Sequence, residues 1–117
     1  MSSSVANAPR QNDALLQGPK DDNIVGGWTP IENVEENSYV QEIGRFAVME
    51  HNKQTGNHLK FLKVTKGWSQ VVAGTNYRLI LEAVNMAGMI WNYEAVVWDK
   101  PWEHSWTLIS FIPLLKN

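Results

Sequence analysis

The sequence predicts an α+β domain in which one long amphipathic helix packs on a curved four-stranded antiparallel sheet. Three observations support this fold class: one stretch with helical spacing of apolar residues, four later stretches of alternating apolar and polar residues, and short turn signals between those four. A helix with a single apolar stripe has to bury that stripe, so it should cover one face of the sheet. The pattern leaves room for a short additional strand ahead of the helix.

The helix is predicted to begin near Ser38 and to end before Gly56. Ser38 and Gln41 have the spacing of a capping box, and Asn33 with Glu36 offers a second candidate start. Beyond them, apolar side chains recur every three or four positions, and charged ones fall mainly on the opposite side. Gly56 suits the position that ends a helix, which gives about 17 to 20 helical residues.

After Gly56 the pattern acquires a period of two, which indicates strands. The first strand is expected to change the face it buries near Lys66 and Gly67, where a bulge would allow the change. Because short links join the strands, they should form an antiparallel meander. The alternating stretches lie at 59–64, 77–84, 91–98 and 106–112, and the turn signals lie at 73–76, 85–88 and 99–101.

The composition argues against several classes of function. The chain has 117 residues, which suits one domain, and 44% of them are hydrophobic, which is enough for a core. Its net charge is −2 and it has no stripe of Lys and Arg, which argues against nucleic-acid and membrane partners. Without cysteine, the chain can form no disulfide, thiolate nucleophile or sulfur-ligated zinc site.

The chain is predicted to divide into a flexible tail at residues 1–23 and a folded domain at residues 24–117. The tail is rich in Ser, Asn, Gln and Asp and has few apolar side chains to bury. A signal peptide needs a run of roughly seven to fifteen apolar residues, and the N-terminal region has none longer than Ala14–Leu16. A cytoplasmic location is therefore expected, or a secreted or vacuolar one if a leader has been removed.

Three segments carry apolar residues where polar ones are expected. The turn Gln70–Gly74 brings Val-Val-Ala into a hairpin tip, Pro101–Trp102 places a tryptophan in a link, and Ile24–Gly27 joins two aliphatic residues to two glycines. Each has a simple structural explanation: a strand that ends late, a tryptophan that folds back onto the core, and an ordinary linker. The first and third links of a meander open at the same end, so the segments would form one apolar edge if the tail leaves there too.

These segments resemble, in order and spacing, the protease-binding motifs of the cystatins, and most closely those of the plant group. In that family a glycine near the N terminus, a Gln-x-Val-x-Gly hairpin and a Pro-Trp hairpin form a wedge. The matching residues here are Gly26 or Gly27, then Gln70-Val71-Val72-Ala73-Gly74, then Pro101-Trp102. The resemblance extends from about residue 24 to the C terminus.

The plant group also has a helix motif, Leu-Ala-Arg-Phe-Ala-Val, which Ile43–Val48 resembles. Two residues depart from it, since Ile43 and Gly44 replace Leu and Ala. A glycine inside a helix costs about 0.5–1 kcal/mol relative to alanine, so this departure is expected to lower stability rather than to change function.

The resemblance implies a reversible, competitive, tight-binding inhibitor of papain-like cysteine proteases that catalyses nothing and needs no cofactor or metal. Val71 to Ala73 should lie over the catalytic pair of the protease, with Trp102 on the primed side. Val25, with Ile24 beside it, should enter the non-primed pockets. Both plant defence and control of the organism's own proteolysis fit such an inhibitor.

The same hairpin predicts a second state of the molecule. Val72 or Ala73 has to turn the chain sharply, and neither tolerates a positive φ well, so backbone strain is expected there. Opening the hairpin would relieve that strain through a domain swap, which cystatins resembling this chain undergo. We therefore expect a monomer that converts slowly to a swapped dimer without inhibitory activity.

Two other classes of function stay open at this point. One is a helix-on-sheet enzyme, which would need a buried carboxylate facing an apolar pocket. The strand alternation instead predicts that Glu82 and Glu94 lie on outward faces. A carbohydrate-binding module would stack sugars on a platform of Trp91, Trp98 and Trp106. The histidines lack metal-site spacing, and His51 is expected near the helix end, where a positive charge suits the helix dipole.

Overall fold

The computed structural model describes residues 27–115, so the predicted tail and the domain boundary at residue 24 lie outside the described residues. Five antiparallel strands form one sheet in sequence order, and the helix follows the first strand along the chain. This arrangement confirms the predicted α+β fold. The elements are β1 (Thr29–Pro30), α1 (Ser38–Thr55), β2 (Lys60–Val72), β3 (Gly74–Val84), β4 (Ile90–Lys100) and β5 (Ser105–Pro113), with 3-10 turns at Val34–Glu36 and Pro101–Glu103.

Helix α1 ends as predicted, but its N-terminal cap differs from the predicted one. Gly56 has a φ of 79° and caps the C terminus of the helix. At the other end, the side chain of Asn37, rather than that of Ser38, accepts a hydrogen bond from the Val40 N–H at 3.1 Å. The predicted capping box is wrong because the side chain of Gln41 has other partners.

Gln41 joins the helix to the middle of β2. Its Nε2 donates to the carbonyls of Val34 and Val64, both at 3.0 Å, and its Oε1 accepts from the Val64 N–H at 2.9 Å. The pairing of β2 with β3 shifts register between Val64 and Lys66, so the predicted bulge near Lys66 is present. Gln41 therefore satisfies backbone groups of β2 at the point where a bulge disrupts the ladder.

The core lies between α1 and the inner face of the sheet. Alternate residues of β3 and β4 point into it, as the period of two predicts. Within residues 27–115, no helix is long and apolar enough to span a membrane. The fully buried apolar side chains include Ile43, Ala47 and Val48 of α1, Val64 of β2, Leu79 and Leu81 of β3, and Ala95 and Val97 of β4.

Candidate functional site

The β2–β3 hairpin ends in a one-residue link with an exposed apolar tip. Val72 pairs with Gly74, so Ala73 alone closes the turn. Val71 is 78% exposed and Val72 is 41% exposed. Gly74 takes the positive φ that the turn requires, 83°, and a glycine adopts this conformation without strain. The predicted backbone strain at Val72 or Ala73 is therefore wrong.

The link between β4 and β5 holds Trp102 in solvent. Pro101–Glu103 forms a single 3-10 turn, and the His104 N–H donates to the Pro101 carbonyl at 3.1 Å. Trp102 is 57% exposed, so it does not fold back onto the core as the alternative explanation required. An aromatic side chain held out on a short turn is well suited to anchor a protein interface.

The two turns are neighbours at one end of the sheet. Thr75 of β3 pairs with Asp99 of β4, so the hairpin tip lies against the end of β4. A Cβ at Gly74 would collide with the backbone oxygen of Asp99, which explains why a glycine is needed here. The indole Nε1 of Trp98 donates to the Ala73 carbonyl at 2.7 Å. The first hairpin is therefore fixed beside the Pro101–Trp102 turn.

The N-terminal segment approaches the same end of the sheet. Thr29 pairs antiparallel with Ser69, and continuing this register by two residues brings Gly27 level with Val71. Gly27 is exposed. The other predicted contact residues of this segment, Ile24, Val25 and Gly26, lie outside the described residues.

A buried carboxylate lies behind the two turns. Asp99 is 6% exposed and accepts a hydrogen bond at 2.5 Å from the hydroxyl of Tyr39, in the first turn of α1. The Tyr39 oxygen accepts in turn from the Trp106 Nε1 at 3.3 Å. Burial and the bond to Asp99 raise the pKa of Tyr39. Asp99 is not among the site residues predicted from the sequence, although extending the alternation of Ala95 and Val97 by two residues would have placed it inward.

The described residues also form a groove, which lies away from this carboxylate. The groove of about 500 Å³ lies at the opposite end of the sheet, and Asp99 is not part of its lining. In this groove the ring of His51 stacks on Phe111 with 4.2 Å between the centroids, and burial lowers the pKa of His51. The environment of His51 therefore disfavours the positive charge that was expected at the helix end.

The three tryptophans considered as a sugar platform do not share one surface. Trp106 packs edge-to-face on Phe46 of α1, with centroids 5.5 Å apart, and so lies on the helix side of the sheet. Trp98 lies on the opposite face, since its neighbours on both sides in β4 are buried. Trp91 lies at the far end of the sheet, where its Nε1 donates to the Leu114 carbonyl at 2.9 Å. The platform that a carbohydrate-binding module would need is therefore not formed by these three residues.

The arrangement of the two turns suits docking into a groove. Val71, Val72 and Trp102 give the two tips large exposed apolar side chains, and an ion pair of 3.2 Å between Lys100 Nζ and Glu103 Oε1 spans the base of the second turn. Gln70, at the base of the first tip, is bound across the hairpin because its Oε1 accepts from Asn76 Nδ2 at 3.0 Å. An exposed apolar edge on a rigid support is a typical interaction surface.

Comparisons with known proteins identify the family. The model of the SQAPI family, described as "Aspartic acid proteinase inhibitor", matches residues 31–114. The chain is 55% identical over 86 residues to "Cysteine proteinase inhibitor 1" of Actinidia chinensis var. chinensis, which covers 74% of this chain and 72% of that protein. It is 53% identical over 89 residues to "Cysteine proteinase inhibitor 5" of Arabidopsis thaliana, which covers 76% of this chain and 72% of that protein.

Solved structures agree on the fold. The salivary cystatin of the soft tick Ornithodoros moubata matches with a TM-score of 0.67 at 22% identity, over 79% of this chain and 100% of that chain. The plant relatives are similar enough in sequence, and over enough of their length, to define the family as well. The chain therefore belongs to the plant cystatin family, whose members are protease inhibitors rather than enzymes.

Proposed function

We propose that this chain is a reversible, competitive, tight-binding inhibitor of papain-like cysteine proteases. The observation that carries the proposal is the single edge formed by two exposed apolar turns, Val71–Gly74 and Pro101–Trp102, at one end of the sheet. The names of the plant relatives support cysteine proteases as the target class. This edge is proposed to enter the active-site cleft of the protease. Inhibition then follows because the cleft is occupied and substrate cannot enter.

Each segment has its own role in the proposed complex. Val71 to Ala73 lie over the catalytic pair and block the approach of substrate. Trp102 packs on the primed side, while Val25, with Ile24 beside it, occupies the non-primed pockets. Because hydrogen bonds within the inhibitor already hold both turns, little conformational entropy is lost when they bind.

A second candidate function is inhibition of aspartic proteinases. The description of the matching family supports it. Cysteine proteases remain the better candidate because the residues that resemble the cystatin motifs are also the ones exposed together at one edge. A protease panel separates the two functions.

The panel measures progress curves of papain, pepsin and trypsin with increasing amounts of the full chain. Papain should be inhibited near stoichiometry and recover on dilution, while pepsin and trypsin keep their activity. Full papain activity in a large molar excess of the chain contradicts the proposal. Inhibition of pepsin without inhibition of papain establishes the second candidate instead.

Trp102→Ala tests the anchor within this edge. Truncating a central aromatic anchor typically costs on the order of 2 kcal/mol, or about a thirtyfold weaker inhibition constant. The fold should survive because Trp102 is exposed. Met86→Ala, which removes an exposed apolar side chain from the turn at the opposite end, is the matched control and should inhibit like the parent chain. Equal effects of the two substitutions would show that the anchor lies elsewhere.

We also propose that the monomer is the inhibitory form. Domain swapping would open the hairpin at Ala73 and turn β2 and β3 into one continuous strand. The exposed tip would then no longer exist, so a swapped dimer would not inhibit papain-like proteases.

A further inference from the structure

The tip of the β2–β3 hairpin has little support of its own. Val71, Val72 and Ala73 are exposed, and the hairpin closes with a single linking residue. A tip of this kind would keep considerable freedom if only its own two strands held it. Ordering it on binding would then cost affinity, since immobilisation of loops and side chains opposes association.

Trp98 supplies the missing support from the neighbouring strand. Its indole Nε1 donates to the Ala73 carbonyl at 2.7 Å, across 25 positions of sequence. The glycine at position 74 also leaves room beside the indole, since a Cβ there would stand only 3.3 Å from the same nitrogen. The bond therefore joins the end of β4 to the residue that closes the hairpin.

Lys100 extends this contact to the second turn. Its ammonium lies 4.7 Å from the centroid of the Trp98 ring and 3.2 Å from the Glu103 carboxylate. The Lys100 side chain is only 19% exposed, so the cation is partly shielded from water. Glu103, Lys100, Trp98 and Ala73 thus form one continuous series of contacts on the face of the sheet away from the helix.

We propose that Trp98 is a positioning residue for the hairpin tip, and that Lys100 couples the tip to the Pro101–Trp102 turn. The inference rests on the proposed inhibition of papain-like proteases. Trp98 acts by fixing the Ala73 carbonyl, which presents Val71 and Val72 in one orientation beside Trp102. Its removal should raise the dissociation rate of the complex, because most changes of affinity at one interface appear in that rate.

The test compares Trp98→Phe with Trp91→Phe. Both substitutions keep an aromatic ring and remove an indole N–H that donates to a backbone carbonyl, at 2.7 Å to Ala73 and at 2.9 Å to Leu114. Only the first bond lies at the proposed binding edge. Trp98→Phe should weaken papain inhibition by roughly tenfold through faster dissociation, whereas Trp91→Phe should leave it unchanged. Lys100→Met should also weaken papain inhibition, but by a smaller factor than Trp98→Phe does.

A readout on the free protein separates positioning from general stability. Backbone ¹⁵N relaxation should show increased motion of residues 71–74 in Trp98→Phe, with the rest of the sheet unchanged, and no such change in Trp91→Phe. An ordered tip with unchanged inhibition in Trp98→Phe overturns the inference. Equal loss of inhibition in both variants also overturns it, because it assigns the effect to global stability.

These readouts also separate the inference from the proposed function. If the parent chain fails to inhibit papain, the proposed function fails, and the relaxation measurement alone then decides whether Trp98 orders the tip. If the backbone motion of residues 71–74 is the same in Trp98→Phe as in the parent chain, the positioning role is overturned whatever the inhibition assay shows.

Discussion

At the scale of single residues, Gly44 shows how packing can reverse a local preference. The sequence predicts that a glycine inside the helix lowers stability, because alanine is the better helix former. In the structure, a Cβ at Gly44 would collide with the side chain of Val64 and stand 3.0 Å from the ring of Phe61. Gly44 therefore lets α1 approach β2 more closely than any larger residue would.

We predict that Gly44→Ala destabilises the fold by about 1–3 kcal/mol, the usual cost of overpacking a core, despite the better helix propensity of alanine. Thermal unfolding monitored by circular dichroism measures the effect. The double variant Gly44→Ala/Val64→Ala is the control, since it removes the colliding group and should lose less than the sum of its single substitutions. An increase in stability of Gly44→Ala would show that propensity outweighs packing here.

At the scale of elements, the two binding turns owe their placement to contacts between strands that are distant in sequence. Asp99 touches Gly74 through its backbone, and its carboxylate is held by Tyr39 of α1. A buried carboxylate is costly without such a partner, so this bond fixes the first turn of α1 against the end of β4. Strand β1, by contrast, has only two residues, Thr29 and Pro30, so few backbone hydrogen bonds join it to β2.

The position of Gly27 beside the hairpin tip leads to a prediction about truncation of the chain from its N terminus. Removing residues 1–22 should leave papain inhibition unchanged, whereas removal through Gly27 should weaken inhibition of some papain-like proteases by about tenfold, the loss of one modest anchor. The reason is that Gly27 lies level with the exposed Val71, at the proposed edge, and residues 24–26 directly precede it in the sequence. Inhibition constants of both truncations against several cysteine proteases test this. Equal losses would show that residues 1–22 themselves contribute to binding.

At the scale of the whole molecule, opposite ends of one elongated sheet carry different features. The described part measures 44 × 29 × 27 Å, with both binding turns at one end and the groove beside His51 at the other. The long β2–β3 hairpin connects these ends. Because Gly74 relieves the strain that was predicted at Val72 or Ala73, a domain swap needs another driving force. A swap re-forms the same contacts between two chains, so heat or high concentration can populate it.

We predict that Gly74→Ala increases the fraction of dimer. Alanine disfavours the φ of 83°, and its Cβ collides with the Asp99 carbonyl, so the closed hairpin is destabilised, whereas an extended chain relieves both problems. Gel filtration after mild heating, with papain inhibition measured on each peak, gives the result. Gly88→Ala is the matched control, because its φ of 79° imposes a similar backbone cost in open space, away from this hairpin. A dimer peak as inhibitory per chain as the monomer would contradict the proposed swap.

Features that depend on short-range patterns of residues could be predicted from the sequence. The spacing of apolar residues and Gly56 gave the extent of α1, and the period of two gave the four long strands, because backbone geometry repeats over a few residues. The unusual apolar residues in the turns, at Val71–Val72 and at Trp102, could also be recognised in the sequence, because turns normally carry polar residues.

Contacts between groups that are distant in sequence could not be predicted, because they depend on tertiary packing. Gln41 bonds to the backbone of Val64 beside the bulge in β2, and Asn37 rather than Ser38 caps the helix. The register of β3 against β4 places Trp98 and Asp99 at the hairpin tip, one on each face of the sheet. The physical reason is that strand register and bulges are set by packing of the whole sheet, and a shift of one residue exchanges the two faces.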